Sequence, residues 1–177
     1  MTTQTRKITF AAAIGALYAV LTIGITLFGF GMIQFGPIQF RIAEALTIFP
    51  FFFPFSVWGL FIGVIIANIF SPYPLDIIVG PIATLIAALL TMRLGLINRN
   101  SLPLKALACA PPVIINAIMI GAMIAWVVTG GGSAFWPAFV TFGLQIGLGQ
   151  LVVLYALGLP LMVVFPKLPF YKSLLTL

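Results

Sequence analysis

The sequence predicts an all-α integral membrane protein, a compact bundle of six transmembrane helices with both termini in the cytoplasm. The first observation is composition, because the 177 residues are 63% hydrophobic and only 6% charged, whereas soluble domains carry about a quarter charged residues. The second is a mean hydropathy of +1.28. The third is a series of apolar runs that approach the roughly 20 residues needed to cross about 30 Å of hydrocarbon. Most of the chain is therefore expected to lie in lipid.

Hydropathy and turn signals predict helices over six ranges: 8–28, 41–54, 57–70, 76–93, 106–128 and 137–164. The first range is too long for a signal peptide and has no clear cleavage site, so we expect it to remain as a helix. The second and third are short and are separated by prolines; one kinked helix over 41–70 is the alternative. The loops are too short for a separate domain, so residues 1–177 are expected to form one.

The distribution of basic residues decides between five and six helices, because lysine and arginine accumulate in cytoplasmic loops. With six helices, seven of the eight basic residues fall on the cytoplasmic side: Arg6, Lys7, Arg93, Arg99, Lys105, Lys167 and Lys172. With five helices, the basic loop 93–105 would lie outside. These residues are scattered along the chain, which argues against nucleic-acid binding despite the net charge of +6.

Several kinds of chemistry are not expected. The chain has no histidine and a single cysteine, Cys109, so it has neither a metal-binding motif nor a disulfide framework. It also lacks a phosphate-binding loop, an H-E-x-x-H motif and a G-x-S-x-G motif. We therefore expect no enzymatic activity and no cofactor in this chain. Energy for uphill transport would come from a partner or an ion gradient.

Three ionisable residues lie within predicted helices, at their outer ends: Arg41, Glu44 and Asp76. A charged side chain in hydrocarbon costs at least about 2.5–3.5 kcal/mol, so each is a candidate functional residue. Arg41 and Glu44 are one turn apart and are expected to pair. The pair is either purely structural, or Glu44 accepts hydrogen bonds from a ligand in an outward-facing cavity while Arg41 orients it. Asp76 opens a helix, and capping alone would account for it.

Amides and aromatic residues add weaker candidates on the same side. Buried amides need hydrogen-bond partners, and interhelical bonding is the alternative to ligand binding for Asn68, Asn116, Gln145 and Gln150. Aromatic rings suit the stacking of a flat heterocycle, although membrane proteins also carry interfacial aromatic belts. The predicted outer loops and their flanks contain Phe28, Phe30, Phe35, Phe40, Tyr73, Phe135 and Trp136.

Small residues recur at four-residue spacing in the first helix, at Ala12 and Ala16 and again at Gly15 and Ala19. Such residues let two helices approach closely. They are expected to pack either inside this bundle or against another subunit.

Residues 35–47, F-G-P-I-Q-F-R-I-A-E-A-L-T, resemble the signature of the QueT family. Supporting similarity lies in residues 16–22 and around Asp76, Gly80 and Thr84. The family comprises substrate-binding S components of energy-coupling factor (ECF) transporters for queuosine precursors. The resemblance implies a bacterial cytoplasmic-membrane protein with an outward-opening pocket. It also implies docking to the coupling protein EcfT, driven by two cytoplasmic ATPases, through an A-x-x-x-A pattern that Ala12 and Ala16 match.

The implied substrates are 7-deazaguanines, such as 7-aminomethyl-7-deazaguanine, or queuine. A guanine-like edge presents a ring N–H and an amine, which the carboxylate of Glu44 can accept together. Asp76 would meet an aminomethyl cation. The carbonyl and pyrrole N–H would fall to amides drawn from Gln39, Asn68, Asn116 and Gln145.

Three alternatives stay open at this point. S components share an architecture across unrelated substrates, so another vitamin-like heterocycle is possible. A small membrane enzyme or lipid-handling protein belongs to another class, and the lack of catalytic motifs argues against it. A self-contained secondary transporter would be small and without an evident inverted repeat.

Overall fold

The computed structural model describes residues 2–36, 38–169, 171 and 174, and this part of the chain is helical without a strand. The α-helices are α1 (Thr3–Ile25), α2 (Gly31–Phe35), α3 (Ser56–Asn68), α4 (Asp76–Ile97), α5 (Leu102–Ala108), α6 (Ala110–Thr129), α7 (Phe135–Val153) and α8 (Leu159–Val164). Two 3₁₀-helices span Ile42–Phe51 and Phe165–Lys167, and π-helical turns span Thr26–Phe30 and Leu154–Gly158. Pro37 of the family-like motif and Lys172 of the predicted basic side lie outside the described residues.

Four helical stretches are long and apolar enough to cross a membrane: Thr3–Phe35, Asp76–Ile97, Leu102–Thr129 and Phe135–Lys167. They support the prediction of a helical integral membrane protein. The segments Ile42–Phe51 and Ser56–Asn68 are apolar but shorter. The count of six spans and the cytoplasmic position of both termini therefore remain predictions.

The prediction of an α-helix over 41–54 was wrong in its helix type and length. The chain forms a 3₁₀-helix over Ile42–Phe51 with Pro50 inside it, about 20 Å long at roughly 2.0 Å rise per residue. The hydroxyl of Thr47 donates to the carbonyl of Glu44 at 2.7 Å, which adds a bond with the same three-residue spacing. Pro50 cannot donate a backbone hydrogen bond, and in an α-helix its ring would clash with the carbonyl four residues earlier.

The gap at 29–40 between the first two predicted helices, expected to be an outer loop, is partly helical in the structure. Helical turns continue to Phe35, although Gly29, with φ of 89°, departs from helical geometry. Glycine adopts this left-handed conformation without a steric penalty, so the chain bends there and α2 follows directly. This brings Gln34 and Phe35 into the neighbourhood of Arg41, as described below.

Helices α1 and α3 pack with their backbones in close contact. A Cβ added at Gly59 would collide with the carbonyl of Ala11, and one added at Gly15 would collide with the carbonyl of Gly59. Gly63 is equally close to the backbone of Gly15. The small residues of this seam therefore serve packing inside the bundle, as small residues do at membrane helix interfaces.

An aromatic core fills the end of the bundle opposite the charged residues. Phe53 packs edge-on against Phe10 at 4.9 Å between ring centroids, and Phe49 packs edge-on against Phe165 at 5.1 Å. Tyr171 contacts the same rings. Edge-to-face pairs at these distances are favourable beyond the burial of their area, so this end is densely packed.

Candidate functional site

Buried polar side chains gather where α3 ends and α4 begins. Five of the predicted site residues are buried: Arg41, Glu44, Asn68, Asp76 and Asn116. They come from the 3₁₀-helix, α3, α4 and α6, so the site is built from segments far apart in sequence. All five hydrogen-bond to another of the five: Arg41 and Asn68 to Asp76, and Asn116 to Glu44.

Arg41 pairs with Asp76, and the predicted pairing of Arg41 with Glu44 was wrong. The Arg41 Nη2 atom lies 2.8 Å from Asp76 Oδ2, with the two side chains 4% and 0% exposed. Arg41 Nε also donates to the carbonyl of Gln34 at 3.2 Å. The guanidinium stands 4.7 Å from the centre of the Phe35 ring. Arg41 lies just before the 3₁₀-helix in extended conformation, so the one-turn spacing of an α-helix does not apply.

Asp76 does not cap α4 through its side chain, because Leu75 is the N-cap residue and no side-chain cap bond forms. Its Oδ2 atom accepts instead from Ser71 Oγ at 3.0 Å as well as from Arg41. The backbone carbonyl of Asp76 accepts from Asn68 Nδ2 at 2.8 Å. A Cβ at Gly80 would collide with that amide, so glycine leaves room for Asn68 to reach α4.

Glu44 is buried and bonded to donors from two other helices. The Tyr18 hydroxyl donates to its Oε1 atom at 2.6 Å, and Asn116 Nδ2 donates to its Oε2 atom at 3.5 Å. The first bond is short and strong, while the second is at the outer limit of hydrogen-bond length. With Arg41 and Asp76 the cluster holds two carboxylates and one guanidinium. Its net charge is therefore −1 when both acids are ionised.

Several buried polar atoms without a partner lie in the same region, on Gln34, Asn68 and Asp76. Among the described residues, the buried side-chain atoms without a hydrogen-bond partner belong to Thr22, Gln34, Gln39, Asn68, Asp76, Gln145 and Gln150. The backbone of Gln39 packs against Gly149 of α7, which places the neighbouring Gln150 beside the start of the 3₁₀-helix. Buried polar groups are normally bonded. The unpartnered atoms beside Arg41 and Asp76 are therefore available to bind a polar ligand.

Two of the aromatic candidates, Phe35 and Tyr73, have different environments. Phe35 is buried against Arg41, as a ring at the edge of the polar cluster. Tyr73 is half-buried and packs against a separate apolar cluster that includes Ala83, Ile120 and Ile146. Its predicted role in stacking a ligand stays a prediction. Gln145 is likewise half-buried.

Sequence reasoning did not assign Tyr18, Ser71 or Gln34 to the site. Tyr18 is a fully buried hydroxyl-bearing residue in an apolar helix, and its need for a partner was the signal that could have selected it. Ser71 and Gln34 lie between predicted helices, in the gaps 71–75 and 29–40. Their positions depend on folding contacts that spacing does not reveal.

Ala12 and Ala16 are exposed, in contrast to Gly15 and Ala19, which are buried. The two alanines line an apolar groove of about 540 Å³ between α1 and α3, together with Trp58, Gly59 and Ile62. The groove lies on the outside of the bundle, where lipid or another membrane protein would contact it.

The helices and the buried polar site define the class: a helical membrane protein with a charged, amide-rich site between its helices. The sequence profile described as QueT transporter matches residues 8–167. The chain belongs to the QueT transporter family, and it is therefore placed among transporters rather than enzymes.

One curated relative is the queuosine precursor transporter QueT of Lactococcus lactis subsp. cremoris, with 37% identity over 83 residues. The aligned segment covers 47% of this chain and 47% of the relative, so the match spans about half the length of each protein. No solved structure matches the chain.

Proposed function

We propose that this protein is the substrate-binding S component of an ECF-type importer and takes up a queuosine precursor across the bacterial cytoplasmic membrane. The observation that carries the proposal is membership of the QueT transporter family over residues 8–167. The curated relative supports the class of substrate through its name. The buried polar cluster supplies suitable chemistry.

Glu44 is the residue proposed to bind the ligand most directly. A carboxylate can accept two parallel donors, such as the ring N–H and exocyclic amine of a 7-deazaguanine. The Tyr18 hydroxyl at 2.6 Å holds Oε1 in place, and the long contact from Asn116 leaves Oε2 open to a better donor. Asn116, Asn68, Gln39 and Gln145 supply further amide groups for the carbonyl and pyrrole N–H.

The charge of the cluster favours a ligand that carries an amine. Two carboxylates face one guanidinium, and a buried uncompensated charge is costly. An aminomethyl cation on the 7-deazaguanine would offset that excess. Asp76 is the proposed contact, because its Oδ1 atom has no partner among the described residues while Oδ2 is held by Arg41. Phe35 and Tyr73 are proposed to contact the flat ring.

Thermal stabilisation by a ligand panel tests the substrate. The purified protein is heated with 7-aminomethyl-7-deazaguanine, queuine, 7-deazaguanine, guanine, riboflavin and biotin. A ligand at 100 times its Kd stabilises by about 2.7 kcal/mol, so the 7-deazaguanines are expected to raise the melting temperature. Stabilisation by riboflavin or biotin instead would favour an S component for another heterocycle. No shift with any 7-deazaguanine would refute the substrate.

The variant Glu44→Gln tests the proposed contact. The amide keeps the size of the side chain and one acceptor, but it cannot accept two donors as a carboxylate does. Affinity for the 7-deazaguanine is expected to fall about 10–100-fold, since hydrogen bonds to charged groups contribute roughly 1.5–3 kcal/mol. Unchanged affinity would return Glu44 to a structural role.

The proposed partners are the membrane protein EcfT and two cytoplasmic ATPases, which would hydrolyse ATP on behalf of this chain. We propose that EcfT contacts the groove between α1 and α3 at Ala12 and Ala16. The variants Ala12→Leu and Ala16→Leu are expected to abolish co-purification with EcfT and to spare ligand binding. The matched control is Ala13→Leu, an exposed alanine outside the groove-lining set. Retained co-purification of both groove variants would place the interface elsewhere.

A further inference from the structure

Gln34 is the most complete case of unmet hydrogen bonding in the described part of the chain. Its side chain is 0% exposed, and neither its amide nitrogen nor its amide oxygen has a partner among the residues that the structure describes. A primary amide offers two donors and an acceptor with two lone pairs. Complete burial keeps bulk water from serving them, and a buried polar group without a partner is costly.

Contacts of its own segment tie Gln34 to the charged cluster. Its backbone carbonyl accepts from Arg41 Nε at 3.2 Å, and the next residue, Phe35, packs under the Arg41 guanidinium. The backbone therefore anchors Gln34, while its side chain makes no hydrogen bond to any of the described residues. A leucine of similar size would fill the same space without leaving polar atoms unpaired.

We propose that Gln34 is a specificity-determining residue, whose amide binds an edge of the ligand that presents a hydrogen-bond donor beside an acceptor. This inference rests on the proposed function, in which the cluster binds a heterocycle. An amide pairs with such an edge through two bonds of opposite direction, as glutamine does with adenine. The carboxylate of Glu44 can only accept hydrogen bonds, so Glu44 and Gln34 would bind different edges of the same ring.

In a 7-deazaguanine the matching edge is formed by ring nitrogen N3 and the adjacent pyrrole N9–H. With Gln34 bound to the pyrrole N–H, the other amides of the site are left for the ring carbonyl. A substituent on N9 removes the donor and blocks the approach of the amide. Gln34 would therefore make the site selective for the free base over N9-substituted derivatives. A site discriminates strongly against a ligand whose binding would leave a buried polar group of the protein unpaired.

The experiment measures affinity and melting temperature together for wild type, Gln34→Leu and the control Gln4→Leu, which changes an exposed glutamine of α1. The probes are 7-deazaguanine and 9-methyl-7-deazaguanine. Wild type and control are expected to bind the free base about 10–100-fold more tightly than the 9-methyl compound. Gln34→Leu is expected to bind both with similar, weak affinity.

Without ligand, Gln34→Leu is expected to melt roughly 2–4 °C higher than wild type, because unpaired polar atoms are removed. A lower melting temperature would make Gln34 a structural residue and overturn the inference. So would wild-type affinity and wild-type discrimination in Gln34→Leu. If wild type binds neither probe, the proposed substrate fails, and the binding role of Gln34 for this class of ligand falls with it. The melting temperature then still decides whether Gln34 is structural.

Discussion

The Arg41–Asp76 pair is expected to be worth far more to stability than a surface ion pair. Both side chains are almost fully buried and their atoms are 2.8 Å apart. Removing one partner leaves the other charge buried and uncompensated, which costs about 3–5 kcal/mol. The single variants Arg41→Met and Asp76→Leu are therefore each expected to lower the free energy of unfolding by that amount.

The free energy of unfolding of the double variant, with Arg41→Met and Asp76→Leu together, decides whether the two charges stabilise each other. Replacing a buried ion pair with apolar residues of similar size is often neutral or stabilising. The double variant is therefore expected to be no less stable than either single variant, which gives a coupling energy of at least about 3 kcal/mol. Ser71 would still lose its bond to Asp76, so the double variant is not expected to exceed wild type by much.

The assay is unfolding by titration with a denaturing detergent, monitored by circular dichroism in mixed micelles. The matched control is Arg93→Met, at an exposed arginine, which is expected to change stability by less than about 0.5 kcal/mol. Additive losses in the double variant would show that the two charges do not stabilise each other. They would refute the reasoning from burial.

Two further predictions concern contacts of α1. Tyr18→Phe removes the donor to Glu44 Oε1 and is expected to weaken ligand binding roughly 10-fold or more, measured by titration calorimetry; unchanged affinity would contradict a positioning role. Gly59→Val would force its side chain into the backbone of Ala11 and is expected to cost about 1–3 kcal/mol. Gly24→Val, where no atom lies within 4 Å, is the control, and equal losses in both would contradict the close packing.

Composition and hydropathy predicted the class of protein correctly, because a chain with so few charges has few alternatives to lipid. They located every long helix to within several residues at most ends. They missed the 3₁₀ geometry of Ile42–Phe51, because apolar content is similar for either helix type. The extension of helical structure to Phe35 was missed because glycine-rich segments read as loops.

The candidate site was predicted in its composition but not in its pairing. An arginine and two acids in apolar segments stood out because charges are costly in lipid. The partner of Arg41 was misassigned to Glu44, since helix spacing considers only neighbours on one helix, whereas Asp76 arrives from α4. Tyr18 and Gln34 were missed because one polar group in an apolar run carries no sign of which helix it will face.

The backbone contact between α1 and α3 has a mechanical consequence. Because the backbones at Gly15, Gly59 and Gly63 are in close contact, the two helices have little room to slide past each other. Ala16 and Tyr18 lie on the same helix, about 200° apart around its axis and roughly 3 Å apart along it. A rotation of α1 caused by a contact at Ala16 would therefore also move the Tyr18 hydroxyl. The hydrogen bond from that hydroxyl would pass the movement on to the carboxylate of Glu44.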